Sequence, residues 1–325
     1  MKDVEMKMLE RAKELLENGE VARVIGWKKG ELFHDPSPAS FETVEELNDF
    51  VYDWFCGANL SKYLIEMSKK EGKTAVFLKP CDTYSFNQLV KEHRIAREKV
   101  HVIAVECMAK LDIEKIKAKG ISLIESVEVA GKEVKVTSAY GVEVLSKPEV
   151  VLTKCATCQK THQVKDEEII LHERPQRDVN RFAEVEALEA MSADERFAFW
   201  REQLSKCIRC NACRNVCPAC SCLKCVFDNP ASGVAAKAND DKFEEQLFHI
   251  IRAFHVAGRC TDCGECSRVC PQNIPLHLLN RKFIKDIDGL YGEYQAGETD
   301  EGKTPLTSYT ESDVEPKEVF DGEAK

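Results

Sequence analysis

The feature that most constrains this chain is a cysteine pattern written twice. Cys207-x2-Cys210-x2-Cys213-x3-Cys217-Pro218 is followed by Cys260-x2-Cys263-x2-Cys266-x3-Cys270-Pro271. In such a run, the three closely spaced cysteines wrap one loop around a cubane, and the fourth crosses to a neighbouring cluster. The spacing therefore assigns Cys207, Cys210, Cys213 and Cys270 to one [4Fe–4S] cluster, and Cys260, Cys263, Cys266 and Cys217 to a second. Proline after the last cysteine fixes φ and turns the chain away from the site. Zinc is held by two short cysteine pairs, which would leave a surplus third thiol in each loop.

Sixteen cysteines in 325 residues could instead signal disulfides, but that framework belongs to short secreted chains without a core. The first twenty residues form a charged amphipathic pattern with no apolar signal region, and no apolar run is long enough to span a bilayer. A reducing, cytoplasmic setting is expected, in which clustered thiolates are metal ligands. The net charge of −10 is concentrated at one end, because the stretch from Asp286 onward holds twelve acidic and three basic residues. No basic stripe suggests nucleic acid as a partner.

Residues 3–18 have helical apolar spacing with Gly19 as the stop. A strand is expected at 21–26, then a Pro/Ser-rich loop, then helices at 42–50 and 58–69. The apolar run 74–80, a helix over 82–93 and a second apolar run at 100–106 predict a βαβ unit with parallel strands. A hairpin over 121–137 turns at Ala130-Gly131. Residues 161–180 are polar without a clear element. Residues 181–204 are helical, with a Ser192/Glu195 capping box, and another amphipathic helix covers 241–258. The chain divides into an α/β domain (1–165), a helical linker (166–204), a cysteine-rich domain (205–284) and an acidic tail (285–325) expected to be disordered until it meets a partner.

Cys81 follows the first βαβ strand, Cys107 follows the second, and Cys155-x2-Cys158 comes later. Parallel strands end at one sheet edge, so Cys81 and Cys107 can face each other there. Two readings stand: buried packing cysteines, or the four thiolates of a third cluster. Cys220, Cys222 and Cys225 in CPACSCLKC, with Cys56 as a distant fourth, could hold another cluster or form a thiol-rich loop packed near the others. His249 and His255 are read as packing or solvent-facing positions. A surface role is expected for Lys79, Arg209 and Arg214, and Trp54 and Phe55 are read as core.

Two resemblances bear on these expectations. The 42 residues between Cys217 and Cys260 include a substantial amphipathic helix. That arrangement over about 200–282 resembles the α-helical ferredoxin module of heterodisulfide reductase and succinate dehydrogenase iron–sulfur subunits. The run KPCD, a helix, an apolar strand ending in Cys107 and then Cys155-x2-Cys158 resemble, over about 70–160, the beta subunits of deazaflavin-dependent hydrogenases and formate dehydrogenases. That likeness implies a third [4Fe–4S] cluster on Cys81, Cys107, Cys155 and Cys158. Flavin-binding members of that family carry a longer Gly-rich domain at this point. This chain passes directly into helices, and no GxGxxG loop follows any strand.

The expected function is an electron-transfer subunit of a multisubunit oxidoreductase of anaerobic metabolism. It would have no bond chemistry of its own and would relay single electrons between a flavoprotein, hydrogenase or formate dehydrogenase partner and a ferredoxin or heterodisulfide-reductase-like partner. The alternative is a flavin-binding beta subunit acting on a deazaflavin or nicotinamide.

Overall fold

The computed structural model describes residues 1–159, 163–170, 179–229 and 242–306. Helix α1 (Lys2–Glu17) buries Met8, Ala12 and Leu15 against a five-stranded sheet. Its strands β1 (Arg23–Lys28), β2 (Ser37–Phe41), β3 (Thr74–Leu78), β4 (Val100–Val105) and β8 (Glu168–Ile170) lie in the order β2-β1-β3-β4-β8. All neighbours are parallel except β1 and β2. β3 and β4 are joined by helix α3 (Pro80–Lys91), which gives the βαβ unit its apolar runs predict. Pro80 suits the first turn of α3, where an N–H is unpaired in any case, and the Asp82 carboxylate accepts the Lys79 N–H at 3.3 Å.

Several elements differ from the sequence expectation. Residues 37–41, read as loop, form edge strand β2, where Pro38 removes no needed donor. The stretches 42–50 and 58–69 are not continuous helices. They make 3-10 turns at Glu46–Asp49 and Ser61–Tyr63 and one helical turn, α2 (Leu64–Met67). Burial of Leu47, Phe50, Tyr52 and Leu60 in the sheet's core overrides their spacing. The polar stretch after 161 contains β8, which lies beyond the expected boundary at 165. Its Glu168 is held by Arg11 of α1 at 2.7 Å and by His101 of β4 at 2.6 Å, so one carboxylate anchors a strand that otherwise consists of Ile169 and Ile170.

After β4 come α4 (Ile113–Lys117) and a separate antiparallel sheet of β5 (Ile124–Ala130), β6 (Glu133–Ser138) and β7 (Gly141–Ser146). The β5–β6 hairpin turns at Gly131 (φ +60°) as expected. The third strand, β7, is not expected from sequence, and its Val142 and Val144 are exposed. Two short helices, α5 (Lys147–Val150) and α6 (Thr153–Ala156), lead to the Cys155-x2-Cys158 loop.

The second half is helical. α7 (Ala183–Glu189) and α8 (Ala193–Leu204) are separated by a break at the Ser192/Glu195 capping box. α9 (Ala212–Val216), α10 (Lys242–Val256), α11 (Glu265–Arg268) and α12 (Leu276–Tyr291) follow, with α10 packed against α8 and α12. The acidic end begins as helix, and residues 292–306 continue as a strap on the α/β half. There the Gly297 carbonyl accepts Asn87 Nδ2 at 3.1 Å, Asp300 pairs with Lys165 at 2.7 Å, and Ala296 and Thr304 are buried. The expected start of a disordered tail at 285 is therefore too early. The remainder of that tail, 307–325, lies outside the described residues.

The two halves meet through polar contacts. Ser85 of α3 bonds Thr261 at 3.0 Å, Glu92 pairs with Arg259, and the Asn59 N–H donates to Glu265 at 3.1 Å. The second cysteine loop is thus pressed against the carboxyl edge of the parallel sheet. No helix among the described residues is long and apolar enough to cross a membrane.

Candidate metal centres

Cys81 lies in the first turn of α3, directly after β3, and Cys107 lies just after β4. Adjacent parallel strands deliver them to one crevice at the sheet's carboxyl edge. α6 brings Cys155 to the same place, with Cys158 three residues on. All four line one cavity together with Gly57, Pro80, Lys79, Lys110, Lys154, Asp262 and Cys263. Burial pushes the Cys81 thiol well up and Cys155 up to about 11.

Three buried lysines stand around these sulfurs. Lys79, expected at the surface, is 1% exposed, and its Nζ donates to Asp82 (2.8 Å) and the Ala58 carbonyl (2.7 Å). Lys154 donates to the Gly57 carbonyl and pairs with Glu265. Lys110, also 1% exposed, donates to the Asp53 carbonyl at 2.6 Å and lies 3.7 Å over the Tyr52 ring. No carboxylate forms an ion pair with Lys110 among the described residues, and burial pulls its ammonium below the ordinary value. A buried cation without an anion is costly, and four sulfurs beside it supply one if they are thiolates. This donor set fits an anionic iron–sulfur centre.

The repeated motifs form two further sites. Cys207, Cys210, Cys213 and Cys270 line one cavity with His249 and Phe248 of α10. Cys217 leaves its own loop and packs with Cys260. Its charge acts on Cys260, Cys263 and Cys266. The fourth cysteine of each run is therefore beside the other loop's triplet. Both loops use the same backbone: the second and fourth residues after the first cysteine are left-handed, at Arg209 (φ +52°) and Asn211 (+62°) in one, and Asp262 (+55°) and Gly264 (+67°) in the other. Left-handed residues curl a chain around a centre, and Asn, Asp and Gly tolerate that region best. Arg209 does not share that preference. It is held by Glu245 (3.6 Å) and by the face of Phe248.

His249 and Arg209, read as bland, are drawn into these sites, and so are Glu245 and Asn280, which carried no sequence signal. His249 is 2% exposed, and its Nε2 lies 3.2 Å from Cys207 Sγ. Burial, helped by Arg252 and Arg209, lowers its imidazole to about 3, so the ring is neutral and its Nε2 sits at hydrogen-bond distance from the sulfur. Glu245 completes a close group with Cys207 and His249. Arg209 is buried where a solvated position was expected. Asn280 of α12 reaches Cys266 Sγ at 3.7 Å. Helical spacing places His249 on the inner face of α10, but sequence gives no sign of which sulfur it meets.

The remaining cysteines separate. Cys220, Cys222 and Cys225 line a broad groove between the halves, with Lys62, Tyr63, Arg94, Arg252 and Arg259. Cys56 does not line it. Its thiol is buried in the α/β core, 3.3 Å from Asp53 Oδ1 and 3.7 Å from the Val51 carbonyl. It is not brought to the other three as a fourth ligand. Trp54 and Phe55 pack at the second core, as expected.

Fold and sulfur geometry together define a multicentre iron–sulfur protein. The 4Fe-4S dicluster domain profile matches residues 203–274. A putative ferredoxin-3 of Sinorhizobium fredii is 36% identical over 79 residues, 24% of this chain and 75% of that protein. The F420-dependent formate dehydrogenase subunit beta of Methanocaldococcus jannaschii is 23% identical across 86% of this chain and 88% of its own length. F420-dependent formate dehydrogenase 1 subunit beta of Methanococcus maripaludis is 25% identical across 90% and 91%. A chain of the F420-reducing [NiFe] hydrogenase complex from Methanosarcina barkeri aligns with a TM-score of 0.37 and 14% identity, over 48% of this chain and 62% of that one. The chain belongs with the 4Fe–4S dicluster ferredoxins in its second half and is related over most of its length to formate dehydrogenase beta subunits.

Proposed function

We propose that this chain is the iron–sulfur electron-transfer subunit of a formate dehydrogenase- or hydrogenase-type complex, relaying single electrons through three [4Fe–4S] clusters. Cys81, Cys107, Cys155 and Cys158 would hold one, Cys217, Cys260, Cys263 and Cys266 the second, and Cys207, Cys210, Cys213 and Cys270 the third. When bound, such centres accept and release one electron without bond chemistry. The observation that carries the proposal is continuity. Cys263 of the second set also lines the Cys81/Cys107 cavity, and Cys217 and Cys266 lie within charge reach of Cys213 of the third. The chain's own groups orient the loops, exclude water and place cations beside sulfur. Partners would be catalytic or flavin-bearing subunits of such a complex, or a ferredoxin.

Anaerobic purification with iron counting and EPR tests this. Three centres require about twelve irons per chain. Cys158→Ala, at the half-buried rim of the cavity, should remove about four of them and leave the two ferredoxin-type signals. Wild-type protein with about eight irons would refute the third centre.

A second reading rests on the groove, where Lys62, Arg94, Arg252 and Arg259 lie near Tyr63 and Phe248. A flavin held there would make the chain a beta subunit that exchanges electrons with a deazaflavin or nicotinamide. A flavin absorption band in the iron-replete protein would establish this reading, and its absence would remove it.

A further inference from the structure

Helix α10 occupies the interval between the two cysteine runs, and it does more than span it. Arg252, on its inner face, is 4% exposed. One Nη donates to the Cys213 carbonyl at 3.0 Å, and its Nε has no partner. No carboxylate forms an ion pair with it among the described residues. Arg252 lines the groove with Ala219 and Cys220, and Val256, one turn further along α10, packs with Cys217 and Cys260. The helix thus meets both ferredoxin-type sites, Cys213 of one and Cys217 and Cys260 of the other. Other cations near cysteine are accounted for differently. Arg209 pairs with Glu245, Arg214 with Asp228 and Arg268 with Glu265, while Lys62 spends its donors on the carbonyls of Arg214, Cys217 and Cys220.

We propose that Arg252 is a shared counter-cation that raises the reduction potentials of both ferredoxin-type centres together. The inference rests on the dicluster assignment above. Reduction adds one negative charge to a centre, so a fixed cation nearby favours the reduced form. In a buried setting that interaction is weakly screened. A cation between two centres acts on both with the same sign. His249 acts on one centre only, through its hydrogen bond to Cys207, so the helix supplies one shared influence and one local one. Arg252 is a positioning residue for charge and touches no substrate.

The test uses the full chain, purified anaerobically, with an EPR-monitored redox titration of each centre and an iron count. Arg252→Met should keep its iron and lower both ferredoxin-type potentials. At a fixed potential the reduced-to-oxidised ratio of each should fall at least tenfold, about 59 mV for a one-electron couple. The signal assigned to the Cys81/Cys107 cavity should move less. Arg252→Lys should restore most of the shift. Arg252→Gln, which keeps a donor for the Cys213 carbonyl without the charge, should behave as Arg252→Met and serves if that variant loses iron. Unchanged potentials in Arg252→Gln, a shift in one ferredoxin-type centre alone, or an equal shift in all three would each overturn the proposal. Wild-type protein lacking the paired ferredoxin-type signals would instead overturn the dicluster assignment, a failure visible before any variant is made.

Discussion

Glu265 is the carboxylate on which the junction between the two halves turns. It is wholly buried and accepts Arg268 Nε and Nη2 at 2.7 and 2.8 Å, the Asn59 N–H at 3.1 Å and the Lys154 ammonium. Burial alone would raise its carboxyl, but Lys154 and Arg268 hold it well below the usual carboxylate range. Lys154 and Asn59 belong to the α/β half and Glu265 to the second cysteine loop, so its charge joins the Cys155 loop to the Cys263 loop. Glu265→Gln keeps the shape and removes the anion, leaving Lys154 buried without one. Breaking such a pair from one side costs about 3–5 kcal/mol. At about 2–4 °C per kcal/mol for chains of this order, the melting temperature should fall by about 6–20 °C. The assay is thermal unfolding of the iron-loaded protein, followed by far-UV circular dichroism and by visible absorption. Glu149→Gln, which removes the exposed partner of Lys119, should cost no more than about 1 kcal/mol. Adding Lys154→Met to Glu265→Gln should recover part of the loss by removing the orphaned cation. An Glu265→Gln protein that melts within about 2 °C of wild type would refute the reasoning.

Two other perturbations test the packing. Glu168 joins β8 to α1, and its carboxyl is lowered chiefly by the Arg11 hydrogen bond, against burial, with His101 helping. A lowered carboxylate stabilises the fold above the unfolded value of 4.5 and loses that contribution as pH falls through the folded value. Glu168→Gln should therefore cost about 1 kcal/mol near neutrality and less at acid pH. Urea titrations at both pH values that give equal differences would contradict this. At Gly297, φ is +77° and an added Cβ would fall on the Tyr84 carbonyl. Gly297→Ala should release the 292–306 strap, read as faster tryptic cleavage at Lys303 with the helical content unchanged. An unchanged cleavage rate would mean that the strap is held elsewhere.

Much of this arrangement is legible in the chain because its cause is local. The two cysteine runs fix their loops by spacing. The apolar runs at 74–80 and 100–106 give parallel β3 and β4, and strand direction brings Cys81 and Cys107 to one edge. What escaped depends on distant partners. β8 is only three residues, Glu168 to Ile170, too short to show a period in sequence, and it is fixed as a strand where Glu168 meets Arg11 and His101. The turns around Ser61–Tyr63 lose their helix because Leu60 and Leu64 are claimed by the core. Lys79 reads as a surface lysine in sequence and Lys110 carries no signal at all, and only the fold brings both to the same cavity. His249 and Arg252 are three residues apart on α10, a spacing shared by many packing pairs, and nothing local tells which sulfur each will meet.

On the proposed assignment, the three centres differ in what surrounds them, and the difference follows from chain connectivity. The cavity at the sheet edge is closed by the second cysteine loop, whose Asp262 and Cys263 form part of its wall. The site of the first loop lies at the other end, where Cys210 and Ile208 are exposed. Exchange of Cys217 and Cys270 ties the middle site to that outer one, so neither loop can complete its ligand set alone. Glu265 ties the middle site to the inner one through Lys154. Each junction is thus made by residues belonging to both neighbours, which holds the spacing of a relay more firmly than a flexible linker would. An exposed sulfur loop with an adjacent apolar side chain suits exchange with a partner, and a lysine-lined cavity between protein layers suits retention of charge. Electrons from a partner docked at Ile208 should therefore reach the ferredoxin-type pair before the inner centre. Ile208→Asp should slow that first transfer, seen by rapid-mixing EPR, without changing any equilibrium potential by more than about 30 mV, a threefold change in ratio for one electron.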